Sequence, residues 1–369
     1  MSGWQLVVGI ESHVQLSTRS KLFSSSPAAY CAEPNRQANA VDFGLPGTLP
    51  AVNREAVAKA IRFGLAVGGD VARESEFARK HYFYPDLPKG YQTSQFEHPV
   101  IAGGAVEVAE GVAVQLVRAH LEEDAGKLLH DAIPGASAVD LNRAGVPLLE
   151  IVSEPCMHTP AAARDYAKAL HELVRWLGIC DGNMQEGSMR FDVNVSLRRG
   201  ADAPLGTRTE TKNLNSFRFL EQAIVHEAER QQELLEAGEQ VVQETRLFDP
   251  GKGVTRPLRS KEEAADYRYM PCPDLLPLRI AEDWIEAERA ALPELPAACR
   301  RRLVAMGLEA DAARTIAAER ATVAYFEEAA AGCGDPQAAA NWITGDVAAL
   351  CREKEIGIED APVPAARLA

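Results

Sequence analysis

The stretch VVGIESHVQL (residues 7–16) decides how the first part of the chain is read. As a strand it sends Val8, Ile10, Val14 and Leu16 to one side. Glu11 and His13 fall together on the other side, flanked by Gly9 and Gln15. A carboxylate beside an imidazole on an otherwise apolar strand is either a solvated outer face or one wall of a binding site. Working outward, the pattern recurs. In RFDVNVSL (190–197), Phe191, Val193, Val195 and Leu197 face one way, and Arg190, Asp192, Asn194 and Ser196 the other. In TRTETKNL (207–214), Arg208, Glu210 and Lys212 share a face. HLEEDAGK (120–127) supplies Glu122, Glu123 and Asp124 where a strand should end. Glu150 sits among Val146, Leu148, Leu149, Ile151 and Val152, where a carboxylate is costly to bury without a cation or a hydrogen-bond network.

Taken singly, each polar face reads as a wet face. Taken together, they read as one sheet that presents carboxylates, a histidine and several cations to a shared cleft. Oxygen ligands with one imidazole suit a hard cation such as Mg²⁺ or Mn²⁺, and the lack of thiolates disfavours zinc. Such a cation beside basic side chains is what phosphoryl transfer needs, since that chemistry rests on positioning and charge neutralisation. No G-x-x-x-x-G-K-[ST] or G-x-G-x-x-G motif is present, so ATP would have to be held by the sheet and its metal. The residues alone reach metal-dependent phosphoryl transfer on an α+β sheet and no further.

Between the strands, TPAAARDYAKALHELVRWLG (159–178) and NSFRFLEQAIVHEAERQQELLEAG (215–238) read as helices. The first has Thr159 as N-cap and Pro160 at the first helical position. Strands mixed with a few long helices, without regular alternation, predict an α+β fold with a largely antiparallel sheet. After the Pro-rich stretches near 271–296 the chain turns Ala-rich and helical. This predicts a catalytic domain over 1–290 and an all-α domain over 291–369.

The bulk numbers set limits. The chain has 369 residues, 46% hydrophobic and 25% charged, an ordinary globular composition with room for two cores. No apolar run approaches the roughly 18 residues that would span a bilayer, and the N-terminus lacks a signal-peptide pattern, so a cytoplasmic location is expected. Seven scattered cysteines without a C-x-x-C predict reduced thiols. A net charge of −14 argues against non-specific binding to DNA, and any nucleic-acid partner must meet a local basic patch.

Several longer blocks occur in order: GIESHVQL, FGLPGTLPAVN, RKHYFYPDLPKGYQTSQFEHP, HLEEDAGK, VDLNRAGVPLLEIVSEP, NMQEGSMRFDVNVSL, TKNLNSF, QETRLFD and DYRYMPCPDLLPL. With them the chain, from about residue 5 to about residue 365, resembles the B subunits of the aspartyl/glutamyl-tRNA amidotransferases. The resemblance implies a glutamine-synthetase-like cradle. It implies ATP- and Mg²⁺-dependent phosphorylation of the side-chain carboxylate of Glu-tRNA(Gln) or Asp-tRNA(Asn). Ammonia released from glutamine by the glutaminase, the A subunit of a heterotrimer completed by a C subunit, then displaces phosphate. A non-catalytic tRNA-binding scaffold is the alternative.

By the same resemblance the metal site would draw on Glu11, His13, Glu122 or Glu123, Glu150, Asp192 and Glu210. Alternation allows one of Glu122 and Glu123 to face inward, and Glu123 is expected because the following turn can swing it in. Arg190 and Lys212 would neutralise phosphate, with Asp192, Asn194 and Arg259 near the nucleotide and Arg246, Arg256 and Arg268 as weaker candidates. The aromatic loop around Tyr82, Phe83, Tyr84 and Tyr91 reads either as a core loop or, by resemblance, as part of a dry path for ammonia.

Two departures stand out. Some members carry zinc-binding cysteines in the segment matching residues 23–44; here serines and Asp42 stand in their place with Cys31 alone, so no structural zinc is expected. The family usually continues into a helical tail that grips the tRNA elbow. This sequence stops at APVPAARLA, so weaker tRNA binding is expected.

Overall fold

The computed structural model describes residues 3–30, 32–260 and 267–369, with the backbone alone at 131, 213, 259 and 260. They form two compact units, residues 1–292 and 293–369.

The first unit is built on a ten-stranded sheet. Its strand order runs Val254–Ser260, Glu244–Asp249, Thr209–Leu214, Met189–Arg198, Gln5–Gln15, Pro147–Ser153, Val112–Glu123, Ile101–Ala102 and Asp70–Val71, with Ala105–Ala109 also beside Val112–Glu123. All neighbours are antiparallel except Thr209–Leu214 and Glu244–Asp249, which run parallel. The predicted α+β class with a largely antiparallel sheet is what forms.

Register decides the two faces. Glu11 lies opposite Asp192, His13 opposite both Glu150 and Arg190, and Glu150 opposite His120. Residues directly opposite one another point to the same face. The polar residues of four strands therefore gather on one side. The other side is core: Val8, Ile10, Val14, Leu121, Leu149, Ile151, Phe191, Val193 and Val195 are buried. Helices Pro160–Trp176 and Phe217–Glu236 cover that side through Tyr166, Leu170, Val174, Leu220 and Ile224, all buried. The Thr159 hydroxyl caps the first helix by accepting the Ala162 N–H at 3.0 Å. The second helix begins at Phe217 with Ser216 as its N-cap, whose side chain makes no cap bond.

In the segment 23–44 a buried carboxylate, Asp42, gathers the polar contacts. Asp42 accepts from Ser24 Oγ at 2.8 Å, Ser26 Oγ at 2.6 Å and the Asn39 N–H at 2.9 Å. The fully buried Lys21 ammonium lies 3.5 Å from Asp42 and donates to the Leu141 carbonyl at 3.1 Å. Burial pushes Lys21 below the usual lysine range, against the pull of Asp42. Cys31 lies outside the described residues.

The second unit is all helix, from Pro296–Ala305 to Ala365–Leu368, around Leu303, Ile316, Phe326, Ala340 and Ile343. Among the described residues, no helix is long and apolar enough to cross a membrane.

Candidate metal and active site

Three side chains from three adjacent strands converge on the polar face. The donor atoms of His13, Glu122 and Glu150 all lie within 4.8 Å of one another. His13 Nε2 is 3.5 Å from Glu150 Oε2 and 3.9 Å from Glu122 Oε1. His120 closes the group, its Nε2 3.6 Å from Glu150 and 3.8 Å from Glu122. This donor set fits a hard divalent cation: two carboxylates and an imidazole, close enough to share one ion. The Nδ1 atom of His13 is buried and without a hydrogen-bond partner, as expected of a ring whose polar contacts are incomplete.

Burial and neighbouring charge act differently on the members of this face. Burial pushes Glu11 up, and the charges of Glu150 and Glu210 push it further. Burial also works against ionised Glu150, but the charges of His120, His13 and Lys80 outweigh it and hold Glu150 well below the usual carboxylate range. Burial pushes His13 down, and its bond to Glu150 and that carboxylate's charge carry it up to about 9.

The predicted ligands divide into two groups. Glu11, Asp192, Asn194, Glu210 and Lys212 form the second. Asn194 Nδ2 donates to Glu11 Oε1 at 3.0 Å. Lys212 Nζ bridges Asp192 at 2.7 Å and Glu210 at 2.8 Å, and Thr245 Oγ1 donates to Glu210 at 3.0 Å. Beside this group a cleft of about 250 Å³ opens, lined by Val7, Gly9, Glu11, Val152, Asn194 and Arg208. Arg190 gives both its terminal nitrogens to Asp124, at 2.9 and 3.2 Å, and Gln15 also donates to Asp124 at 2.8 Å.

Glu123 corrects the sequence reading. The strand runs through Glu123 with Pro147 opposite it, so alternation holds to the last residue and no turn swings that side chain inward. Its carboxylate accepts from Lys89 Nζ and from the Thr93 N–H at 2.7 Å, apart from the three-donor group. Glu122 is the one that joins His13 and Glu150. Glu122→Gln should weaken Mn²⁺ binding by about tenfold or more, while folded Glu123→Gln keeps it. Isothermal titration of the two variants checks this.

Arg246 is also reassigned. It is buried and paired with Glu227 and Glu244. Arg256 pairs with Asp249 at 2.9 Å on the surface, and the Arg268 carbonyl lies 2.9 Å from His81 Nδ1. The Arg259 side chain lies outside the described residues. The aromatic loop divides: Phe83 is 88% exposed, whereas Tyr82 packs edge-on against Tyr267.

Three residues of this face receive no site role from the sequence. His120 was findable, since it lies two residues before Glu122 and so shares its face. Asp124 reads only as part of an acidic triplet. Lys80 comes from the three-stranded sheet of Ala78–His81, Tyr91–Ser94 and Met270–Pro271. Burial pushes its ammonium down, but the charges of Glu122 and Glu150 more than restore it, and the ion sits 4.7 Å from the centre of the Tyr267 ring.

A largely antiparallel sheet with carboxylates and imidazoles on one face and helices on the other defines an α+β cradle. The model of the GatB/GatE catalytic domain matches residues 6–286, and the chain belongs to that family. It is 59% identical to the B subunit of the aspartyl/glutamyl-tRNA(Asn/Gln) amidotransferase of Ralstonia pickettii (strain 12J), over 99% of this chain and 78% of that one. The proteins of the same name from Bordetella pertussis and Burkholderia vietnamiensis are 58% and 56% identical, over 99% and 100% of this chain and 78% of each of theirs.

Proposed function

We propose that this chain is the carboxylate-activating member of a cytoplasmic tRNA-dependent amidotransferase, a heterotrimeric ligase in which it works with a glutaminase (the A subunit) and a third chain (the C subunit). The observation that carries this reading is the convergence of His13, Glu122 and Glu150 in a chain of this family. Those three residues would hold Mg²⁺, which when bound neutralises phosphate charge and polarises the phosphorus. The cleft beside Glu11 and Asn194 takes the nucleotide. Lys212, fixed between Asp192 and Glu210, and Arg190, fixed by Asp124, hold positive charge beside the phosphates. The charges of His120 and Lys80 help hold Glu150 ionised, and His120 stands within 3.8 Å of both carboxylates.

In this arrangement the side-chain carboxylate of Glu-tRNA(Gln) or Asp-tRNA(Asn) attacks the γ-phosphorus of ATP, and ADP leaves. Ammonia from the glutaminase then attacks the acyl phosphate, and phosphate leaves as the amide forms. The test is ATP hydrolysis by the chain assembled with its two partners, without tRNA and with each mischarged tRNA. Stimulation by one mischarged tRNA supports the reading and names the substrate. Tight tRNA binding without stimulation, in a complex that binds Mg²⁺, supports the scaffold alternative instead.

A further inference from the structure

A second cavity, of about 320 Å³, lies at the far end of the strand Met189–Arg198, lined by Trp4, Arg198, Arg199, Thr207, Gln231 and Gly206 among others. Its volume is at the lower end of the roughly 300–1,000 Å³ of ligand-binding clefts. The chain bends just after Arg198, so two successive arginines line the same cavity instead of alternating across the sheet.

Among the described residues, neither arginine has a carboxylate partner. Arg198 Nε donates to Gln5 Oε1 at 2.8 Å, which fixes the side chain while leaving Nη2 without a partner; Nη1 makes only a 3.5 Å contact to the Ala203 carbonyl. The Arg199 guanidinium lies over the Trp4 ring at 4.5 Å from its centre. Among the described residues, neither Asp202, three residues after Arg199, nor Glu239, beside the lining residue Gln240, forms an ion pair with either arginine. In a chain with 53 acidic and 39 basic residues, two neighbouring guanidiniums without a counter-ion in one cavity are conspicuous. Paired guanidiniums match the oxygens of phosphate, and an indole beside them adds an apolar wall.

The cavity is separate from the cleft beside Glu11 yet shares a wall with it. Gly206 lines both, and a Cβ at that position would stand 2.1 Å from the Leu197 carbonyl oxygen. The loop therefore lies directly on the end of the strand, with one cavity on each side.

We propose that this cavity is a second anion site, one that takes the phosphate group of a nucleotide, either free or within an RNA strand. It goes beyond the activating reaction and is tested without it. The full chain is titrated calorimetrically, in EDTA and without Mg²⁺, with inorganic phosphate, AMP and a short RNA oligonucleotide. The same titrations are run on Arg198→Gln/Arg199→Gln and on Glu11→Gln/Asn194→Ala, each checked for fold by circular dichroism.

One-to-one binding is expected, weakened at least about tenfold by the double arginine change and retained in the Glu11/Asn194 variant. Binding of phosphate or AMP assigns a free ligand; binding of the oligonucleotide alone assigns RNA. The proposal is overturned if no probe binds at millimolar concentration. It is equally overturned if the arginine change leaves affinity unaltered, or if the Glu11/Asn194 change abolishes binding. None of these readouts depends on ATP hydrolysis, so failure of the proposed activity and failure of this site are distinguishable.

Discussion

Replacing Glu150 with glutamine lowers tRNA-stimulated ATP hydrolysis in the assembled complex by more than about a hundredfold. Loss of outer-shell partners alone costs metal sites about 10–100-fold, and Glu150 stands at the centre of this one. It lies opposite His13 on one neighbouring strand and opposite His120 on the other, with both imidazoles within 3.6 Å of its Oε2. Glutamine keeps the shape and loses the charge. Steady-state hydrolysis and Mn²⁺ titration of the same preparation should fall together. Full hydrolysis by a variant that no longer binds Mn²⁺ would remove the metal site from the mechanism.

Glu227→Ala lowers the stability of the first unit by about 3–5 kcal/mol, the cost typical of stripping one partner from a buried ion pair. Glu227 is fully buried on the helix Phe217–Glu236. It takes Arg230 at 2.6 Å, Arg246 at 3.2 Å, Thr209 at 2.7 Å and Thr255 at 3.0 Å. These contacts tie the helix to the parallel strand pair that carries Glu210. Thr209 and Arg246 turn toward Glu227, while their neighbours Glu210 and Thr245 meet on the active face. Burial pushes Glu227 up, but hydrogen bonds from Arg230, Thr209 and Gln231 outweigh it and hold it below its ordinary 4.5. A carboxyl depressed by folding contributes stability that is complete above its ordinary value and lost as the pH falls through the folded value. Urea denaturation across acid pH should therefore show a shallower acid limb in Glu227→Gln than in the parent, and a lower midpoint in Glu227→Ala at every pH above it.

What is legible in the sequence is the alternation. Strand parity alone places Glu11 with His13, Asp192 with Asn194, and Glu150 among apolar neighbours, because a period of two leaves a side chain only two faces. Register is not legible, since it depends on which strands pair and where. That is why the predicted ligands read as one set, when Lys212 in fact stands between Asp192 and Glu210. Glu123 is misjudged when alternation is set aside for a turn that begins one residue later. Lys80 and Arg246 cannot be placed from sequence, because Lys80 feels the charge of Glu122 more than forty residues away and Arg246 pairs with Glu227 nearly twenty residues away.

The central claim is that His13, Glu122 and Glu150 hold a divalent cation. The direct measurement is anomalous diffraction from crystals grown with Mn²⁺. A peak bonded to side-chain atoms of all three residues is expected, and its loss in Glu150→Gln. A protein that crystallises with saturating Mn²⁺ and shows no peak there, or shows it only elsewhere, would rule out a cation held by these three residues.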